Sequence, residues 1–346
     1  MFSQQFPFRA PLRRAYRRLR RLRLAFRTKA IILVYHRVAD PAIDPWKLGV
    51  SPENFSRQME VLRREFHPIS LRQLTLARSD RSLPPRPVVV TFDDGYADNY
   101  LQALPRLRAF EIPATVFVST GFLGIDHNLW WDDLAALLLS PSPAPEQIHL
   151  TITGQRIDFF LPASVCSSHV SRWAAWEPVP GPRETAYLEM YRLFLGLTGP
   201  QREEALRQIR EVRGIPRGRE HRCLTEEELR LLAGGPEIEI GAHTVNHPVL
   251  SELDRAEQIQ EIAGGKRRLE ALTGMPVRSF AYPYGKRNHY NRATKRAVRD
   301  CGLTCACSNF GGPVATVTDR FALPRFQPMD WDGPAFRAML QAWSRE

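Results

Sequence analysis

The chain has 346 residues, with 48 Lys and Arg against 37 Asp and Glu, and 43% of its residues are hydrophobic. This composition excludes intrinsic disorder, collagen and disulfide-rich scaffolds, and it predicts a globular protein with a full-sized core. No stretch approaches the roughly 18 uninterrupted apolar residues of a membrane-spanning helix.

The net charge of +11 is concentrated at the N-terminus. Residues 1–29 contain nine Arg and one Lys and no acidic residue, which leaves about +1 for the rest of the chain. An enzyme that binds nucleic acid is expected to carry a basic stripe on its folded body. We therefore expect no nucleic-acid partner.

Residues 1–29 predict a basic amphipathic N-terminal arm. Pro11 is typical of a first helical residue, and apolar residues follow at three- and four-residue spacing: Leu12, Ala15, Tyr16, Leu19, Leu22 and Phe26. Such a helix would bind an anionic membrane interface, each basic residue adding roughly 1 kcal/mol. The alternative is that its apolar stripe packs on the chain's own domain. We expect a cytoplasmic protein, with the arm as a peripheral contact to the inner face of the membrane.

The sequence gives little indication of a secretory signal peptide or of disulfide bonds. Arginines interrupt every run that could be the apolar core of a secretory signal, although an Arg-rich start also resembles an organellar transit peptide. Five cysteines, an odd number without paired spacing, predict reduced thiols in a cytosolic protein. Cys301, Cys305 and Cys307 could form a thiolate metal site, but their segment is better interpreted as a glycine turn entering a buried strand.

After the arm, apolar β-type runs alternate with amphipathic helical stretches, which is typical of an α/β fold around a parallel sheet. The predicted strands are 30–38, 87–92, 114–119, 237–240, 278–282, 301–308 and 321–327. The predicted helices are 52–66, opened by Ser51, then 96–110, 254–272, 291–300 and 334–344.

Residues 122–223 break this alternation. They contain a Pro/Ser linker, an alternating segment at 149–161 that predicts a hairpin, and a charged helical stretch at 182–213. We interpret them as an insertion between two parts of one barrel, 30–121 and 224–346. An insertion of this length tends to shape a substrate site rather than supply chemistry.

Two segments place metal-competent residues directly after a predicted strand. TFDDG at 91–95 holds Asp93 and Asp94, which point to opposite sides of a strand and should have different roles. In GAHTVNHP at 241–248, His243 and His247 can converge on one metal ion, and the final proline favours a loop. One Asp and two His form a sound set of ligands for a divalent metal.

A third segment, SFAYPYG at 279–285, offers aromatic residues and a turn that could wall a sugar-binding groove. Taken alone, each segment also has a structural interpretation as a turn, a cap or core packing. Together, at the strand ends of an α/β chain, they predict one site, since such folds gather active sites at that face.

TFDDG, HTVNH and YPYG, in that order, resemble the first three motifs of the polysaccharide deacetylases, the NodB-homology family or carbohydrate esterase family four. The resemblance covers residues 30–125 and 225–330. It implies a distorted (β/α) barrel, here with a mixed α/β insertion. It also implies metal-dependent hydrolysis of an N-acetyl or similar N-acyl group on a sugar.

The resemblance also implies roles for individual residues. Asp93 matches the catalytic base, and Tyr284 matches the residue whose backbone N–H binds the oxyanion. The ligands of one divalent ion, expected to be Zn²⁺, are Asp94, His243 and His247. Such an ion polarises the amide carbonyl and lowers the pKa of water toward ~7, while a separate acid must protonate the leaving amine.

The sequence departs from the family at the position of that acid. The family's later Leu-x-His motif corresponds to a segment ending in Arg325, which cannot donate a proton near neutral pH. The third motif usually carries an Arg where this chain has Ala281. We expect Arg325 to supply that charge beside Asp93 and His36, which ends the first strand, to be the acid. The alternative for His36 is a structural role.

The predicted activity is removal of an N-acetyl group from a sugar of a polysaccharide, a lipopolysaccharide or a lipid-linked glycan precursor. A basic arm fits a lipid-linked substrate at an anionic leaflet. Two alternatives stay open: a deformylase of a lipid-linked amino sugar, which this family also contains, and an inactive glycan-binding barrel. The departures from the family favour the inactive barrel, and the intact Asp93, Asp94, His243 and His247 set argues against it.

Overall fold

The computed structural model describes residues 29–80, 83–142, 145–161 and 173–345. The N-terminal arm, apart from Lys29, and Cys166 lie outside these ranges, so the predictions for them stay predictions. Within the described ranges, no helix combines the length and the apolar character needed to span a bilayer.

A parallel sheet forms the centre of the fold. The strands are β1 (Ile31–Tyr35), β2 (Arg37–Val38), β3 (Gly49–Val50), β4 (His67–Pro68), β5 (Pro87–Phe92), β6 (Ala114–Val118), β7 (Gln147–Ile152), β8 (Gln155–Phe160), β9 (Ile238–Ala242), β10 (Ser279–Ala281) and β11 (Cys305–Cys307). The central order is β1-β5-β6-β9-β10-β11, and β4 pairs with β5. Strands β1, β5 and β6 are buried throughout, as expected of a parallel sheet covered on both faces.

The prediction of a regular strand at 321–327 is wrong, but this segment still closes the barrel. Phe326 exchanges two backbone hydrogen bonds with β1, at 2.8 and 2.9 Å, and Leu323 exchanges two with the end of β11, also at 2.8 and 2.9 Å. Pro324 lies between them and has no N–H to donate, so the ladder is reduced to isolated bridges. The sheet therefore curls into a distorted barrel, as predicted.

The helices surround the sheet. They are α1 (Pro52–Glu65), α2 (Leu71–Asp80), α3 (Leu104–Ala109), α4 (Trp130–Leu139), α5 (Pro182–Leu195), α6 (Gly199–Arg213), α7 (Glu226–Ala233), α8 (Arg255–Thr273), α9 (Arg292–Asp300) and α10 (Gly333–Trp343). The helix that was predicted to open at Ser51 is confirmed, with the Ser51 side chain accepting the Asn54 N–H. Helices α2, α4 and α7 were not predicted.

The prediction of one helix over 96–110 is wrong in its first half. A π-helical turn, Asn99–Ala103, precedes α3. Pro105 lies at the start of α3 and cannot donate to the carbonyl one turn earlier, so a regular α-helix cannot run through this point.

The predicted insertion has a core of its own. The hairpin β7–β8 is antiparallel, as predicted, and its turn residues Thr153 and Gly154 have φ of 52° and 77°. One face of the hairpin packs with α4, α5 and α6 in a cluster that also includes Tyr96 and Cys223. The insertion therefore packs against the barrel close to the TFDDG segment.

Candidate active site

The carboxyl ends of β5, β9 and β10 bring the three predicted segments to one face of the barrel. Asp94, His243 and His247 each offer one ligand atom there, and these atoms lie within 4.8 Å of one another. All three side chains are buried. Among the residues that the structure describes, this is the only group of three or more acidic, His or Cys side chains arranged to hold a metal ion.

The two histidines are oriented differently. His243 Nδ1 lies 2.8 Å from the carbonyl oxygen of Ala281, to which its N–H donates, and this leaves Nε2 facing Asp94 Oδ1 at 3.4 Å. His247 Nε2 lies 3.2 Å from the same oxygen, while its buried Nδ1 has no hydrogen-bond partner among the residues that the structure describes. Two imidazole nitrogens and a carboxylate fit a divalent ion such as Zn²⁺.

Burial and the contacts among these side chains shift the pKa values at this site. Burial raises the pKa of Asp94, but hydrogen bonds from His243 and His247 outweigh burial and hold that pKa well below its ordinary value. Burial lowers the pKa of His247, which keeps the imidazole neutral, as a metal ligand must be. The pKa of His243 is raised, because the carboxylates of Asp93 and Asp94 outweigh the effect of its burial.

The loops that carry these residues are strained. Asp94, Thr244, His247 and Tyr284 have positive φ values of 72°, 68°, 54° and 58°, although none of them is glycine. Such conformations persist only where surrounding contacts enforce them, and they cluster at functional sites.

Glu261 of α8 supplies one of the enforcing contacts. Its carboxylate accepts backbone N–H groups from Val245 at 2.9 Å and Asn246 at 2.8 Å, and the side-chain amide of Asn246 at 2.7 Å. Gly265 on the same helix allows close approach, since a Cβ there would meet the Thr244 carbonyl oxygen at 2.7 Å. The sequence analysis missed Glu261, because a glutamate on an exposed helical stretch carries no local signal of this role.

Arg325 lies against Asp93. Its two terminal nitrogens donate to the two Asp93 carboxylate oxygens at 2.7 and 2.6 Å, and its Nε donates to the Ser308 carbonyl at 2.7 Å. Both side chains are buried. Burial raises the pKa of Asp93, but the charge and hydrogen bonds of Arg325, together with the charges of His243 and His36, outweigh burial and keep the pKa below its ordinary value. Asp93 is therefore an ionised carboxylate at neutral pH.

His36 and Tyr284 border the same cavity as Asp93 and Asp94. His36 Nδ1 is buried and has no hydrogen-bond partner within the described part of the chain, which a purely structural role does not explain. The Tyr284 ring centroid lies 4.6 Å from that of His247. The N–H of Tyr284 donates to no backbone carbonyl within the described ranges.

The cavity above the site has a volume of about 580 Å³ and two unlike walls. Polar residues of the barrel form its floor. Helices α4 and α5 and the residues near them add a largely apolar wall, formed by Trp46, Leu48, Trp131, Ala175, Trp176, Leu188, Tyr191 and Leu195. Arg192 and Lys286 also line it, and within the described part of the chain neither side chain makes an ion pair or hydrogen bond.

The thiolate metal site considered as the alternative for Cys301, Cys305 and Cys307 does not form among the described residues, and the preferred interpretation of a turn entering a buried strand is confirmed. Cys305 and Cys307 are buried in β11, Cys301 precedes that strand, and all three are free thiols. Burial raises the pKa of Cys307 to about 12, so its thiol stays protonated and is a poor metal ligand.

A family model described as polysaccharide deacetylase matches residues 80–144 and 207–306. Among curated proteins, the poly-beta-1,6-N-acetyl-D-glucosamine N-deacetylase of Escherichia coli K12 is 36% identical over 86 residues. The putative polysaccharide deacetylase YxkH of Bacillus subtilis is 30% identical over 103 residues. The matches cover 24% and 29% of this chain, and 13% and 36% of those proteins.

Solved structures share the fold over most of the chain. The Streptococcus pyogenes deacetylase PplD, in complex with acetate, has a TM-score of 0.57 at 18% identity, over 92% of this chain and 99% of that one. IcaB from Ammonifex degensii has a TM-score of 0.55 at 18% identity, over 92% and 98%. The deacetylase domain of BpsB from Bordetella bronchiseptica has a TM-score of 0.52 at 22% identity, over 88% and 97%.

Proposed function

We propose that this chain, which matches the polysaccharide deacetylase family model over residues 80–144 and 207–306, is a divalent-metal hydrolase that removes an N-acetyl or similar N-acyl group from an amino sugar. The observation that carries the proposal is the convergence of Asp94, His243 and His247 beside the ionised Asp93 on the floor of one cavity. A carboxylate next to a three-ligand set with open positions is the arrangement that metal-assisted hydrolysis requires.

Asp93 is the residue that we propose accepts a proton during hydrolysis. A divalent ion held by Asp94, His243 and His247 would polarise the acyl oxygen and acidify water. Asp93 takes a proton from the attacking water, and Arg325 keeps that carboxylate ionised and oriented.

The acid and the oxyanion donor lie on the other sides of the cavity. We assign His36 to give a proton to the leaving amine, because it lines the cavity beside Asp93 and Asp94. The backbone N–H of Tyr284 would donate to the developing oxyanion. Water adds to the acyl carbon, the C–N bond breaks, and a carboxylic acid and an amine leave.

The walls of the cavity favour a substrate that is more than a neutral sugar. A largely apolar wall accommodates an apolar group next to the reacting sugar, and the cations of Arg192 and Lys286 suit an anionic group. A sugar joined to a lipid through phosphate has both features. We therefore propose a lipid-linked glycan precursor in preference to a neutral polysaccharide, with the N-terminal arm as the contact to the membrane.

A substrate panel tests this proposal. The panel contains a neutral N-acetylglucosamine oligomer, N-acetylglucosamine 1-phosphate and N-formylated and N-acetylated lipid-linked amino sugars, with released acetate and formate assayed separately. We expect metal-dependent release, highest with the lipid-linked substrates. Formate release alone identifies a deformylase, and tight metal binding without turnover of any substrate supports the inactive barrel.

Two charge variants test the preference for an anionic group. In Arg192→Gln and Lys286→Gln, the ratio of kcat/KM for the 1-phosphate to that for a neutral methyl glycoside should fall toward one. Arg296→Gln, which removes an exposed cation from α9, outside the cavity, is the matched control. If the wild-type protein already has a kcat/KM ratio near one, it has no preference for an anionic group, and that part of the proposal is wrong.

A further inference from the structure

His247 differs from His243 in what orients its ring. Metal-binding histidines almost always donate their second ring N–H to a carbonyl, a carboxylate or water, which fixes the plane of the imidazole. His243 does so through the Ala281 carbonyl. His247 Nδ1 is buried and has no such partner. Apart from the contact of Nε2 with Asp94, packing orients the ring.

Aromatic side chains surround the His247 ring. The ring centroids of Tyr284, Trp131 and Phe122 lie at 4.6, 5.1 and 6.5 Å from it. Trp131 is the member that comes from α4, outside the three motif segments, and it is 5% exposed. Its indole also packs edge to face with Phe122, at 6.0 Å between ring centroids.

Hydrogen bonds fix the position of Trp131. Its Nε1–H donates to the Tyr96 hydroxyl oxygen at 2.7 Å, and that hydroxyl donates to Asp132 Oδ2 at 2.8 Å. Tyr96 is fully buried and lies two residues after Asp94. These hydrogen bonds therefore join α4 to the loop that carries Asp94. The Trp131 ring in turn packs against the His247 ring.

We infer that Trp131, held by Tyr96, is a positioning residue that sets the orientation of the His247 imidazole toward Asp94. The inference rests on the metal site of the proposed function and adds two residues to it. Neither side chain is a metal ligand. Both act through the packing of an imidazole whose Nδ1 has no hydrogen-bond partner among the described residues.

Metal affinity of purified variants tests this inference without any substrate. Tyr96→Phe removes the acceptor of the Trp131 N–H, and Trp131→Phe removes the donor together with part of the packed surface. We expect Zn²⁺ affinity, measured by competition with a chromophoric chelator, to fall roughly 10-fold in each. The visible spectrum of bound Co²⁺ should shift in both. In the double variant the loss should not exceed that of Trp131→Phe by much, because the two changes break the same hydrogen bond.

Tyr187→Phe is the matched control. It also breaks a hydrogen bond between an indole N–H and a buried tyrosine hydroxyl, from Trp46 at 2.8 Å, but neither residue is in ring contact with a metal ligand. Its Zn²⁺ affinity and Co²⁺ spectrum should match the wild type. Urea unfolding verifies that each variant is folded.

The outcomes separate this inference from the proposed function. If folded Tyr96→Phe and Trp131→Phe bind Zn²⁺ as tightly as Tyr187→Phe, with an unchanged Co²⁺ spectrum, the inference is wrong and the proposed function stands. If the wild type binds no divalent ion, there is no metal site, and both the inference and the proposed function are wrong.

Discussion

The Arg325 guanidinium binds both carboxylate oxygens of Asp93, at 2.7 and 2.6 Å, from the segment that closes the barrel between β11 and β1. The resemblance described in the sequence analysis implies an arginine in the third motif, where this chain has Ala281. The buried charge beside the proposed base is therefore present, but it enters from a different part of the fold. This relationship explains how the chain lacks an expected motif residue and keeps the corresponding interaction.

Replacing Arg325 should disable the base without removing the metal. In Arg325→Gln, the Asp93 carboxylate loses the largest of the contributions that lower its pKa, and turnover should fall by roughly 100-fold or more. Loss of one partner of a buried ion pair should also cost about 3–5 kcal/mol of stability. Steady-state kinetics, metal analysis and urea unfolding measure the three quantities. Wild-type turnover by a folded Arg325→Gln protein would contradict the role assigned to this pair.

Glu261→Gln should weaken metal binding. The amide has one acceptor oxygen in place of the two that hold the Val245 and Asn246 N–H groups and the Asn246 side chain. We expect Zn²⁺ affinity to fall roughly 10-fold. Glu270→Gln is the control on the same helix, since Glu270 also accepts a backbone N–H, from Val277 at 3.0 Å, away from the site. Equal Zn²⁺ affinities in Glu261→Gln and Glu270→Gln would show that the hydrogen bonds of Glu261 have no effect on the metal ligands.

Asp132→Asn should change how stability depends on pH. Burial raises the pKa of Asp132 to about 7, so the folded state holds a proton that the unfolded chain has released above about pH 4. Stability from this group is complete below its unfolded pKa and is lost as pH rises through the folded value. Asn keeps an acceptor for the Tyr96 hydroxyl and never ionises.

Urea unfolding of wild type and Asp132→Asn at two pH values measures this effect. We expect similar stability at about pH 4, and a variant more stable than the wild type by at least about 1 kcal/mol at about pH 8. A stability difference that does not change between the two pH values would mean that Asp132 titrates normally.

The N-terminal arm is tested by deleting residues 1–28. The deletion should abolish binding to anionic vesicles at low salt and leave hydrolysis of a soluble substrate unchanged, because the barrel begins at Ile31. Salt should weaken vesicle binding of the full chain, since the screening length is about 10 Å at 0.1 M. Co-sedimentation measures both. Vesicle binding that survives the deletion would place the contact elsewhere, and loss of folding would favour an arm that packs on the barrel.

The sequence predicts the metal-binding residues of the site well, because the motifs that carry them are short and local. Each of the TFDDG, HTVNH and YPYG segments follows a buried apolar run, and parallel strands bring their carboxyl ends to one face. Asp94, His243 and His247 therefore converge as the sequence predicts. The closing segment also lies where the sequence places it, although Pro324 prevents a regular strand.

The surroundings of the site depend on tertiary contacts that no local pattern encodes. Trp131 lies on a helix that the sequence analysis missed, and its contact with His247 exists only because α4 packs against the barrel. The hydrogen bonds of Glu261 likewise form only because α8 lies next to the HTVNH loop. Aromatic and acidic residues on helices have many uses, so the sequence alone could not select these two.

The most direct test of the central claim is released acetate and bound metal, measured together on one N-acetylated sugar substrate for wild type, Asp93→Asn and His243→Ala. We predict that the wild type binds one divalent ion and releases acetate, that Asp93→Asn keeps the ion and releases none above background, and that His243→Ala loses both. Near-normal acetate release by Asp93→Asn, or by His243→Ala without metal, would contradict the assignment of Asp93 as base beside a metal held by Asp94, His243 and His247.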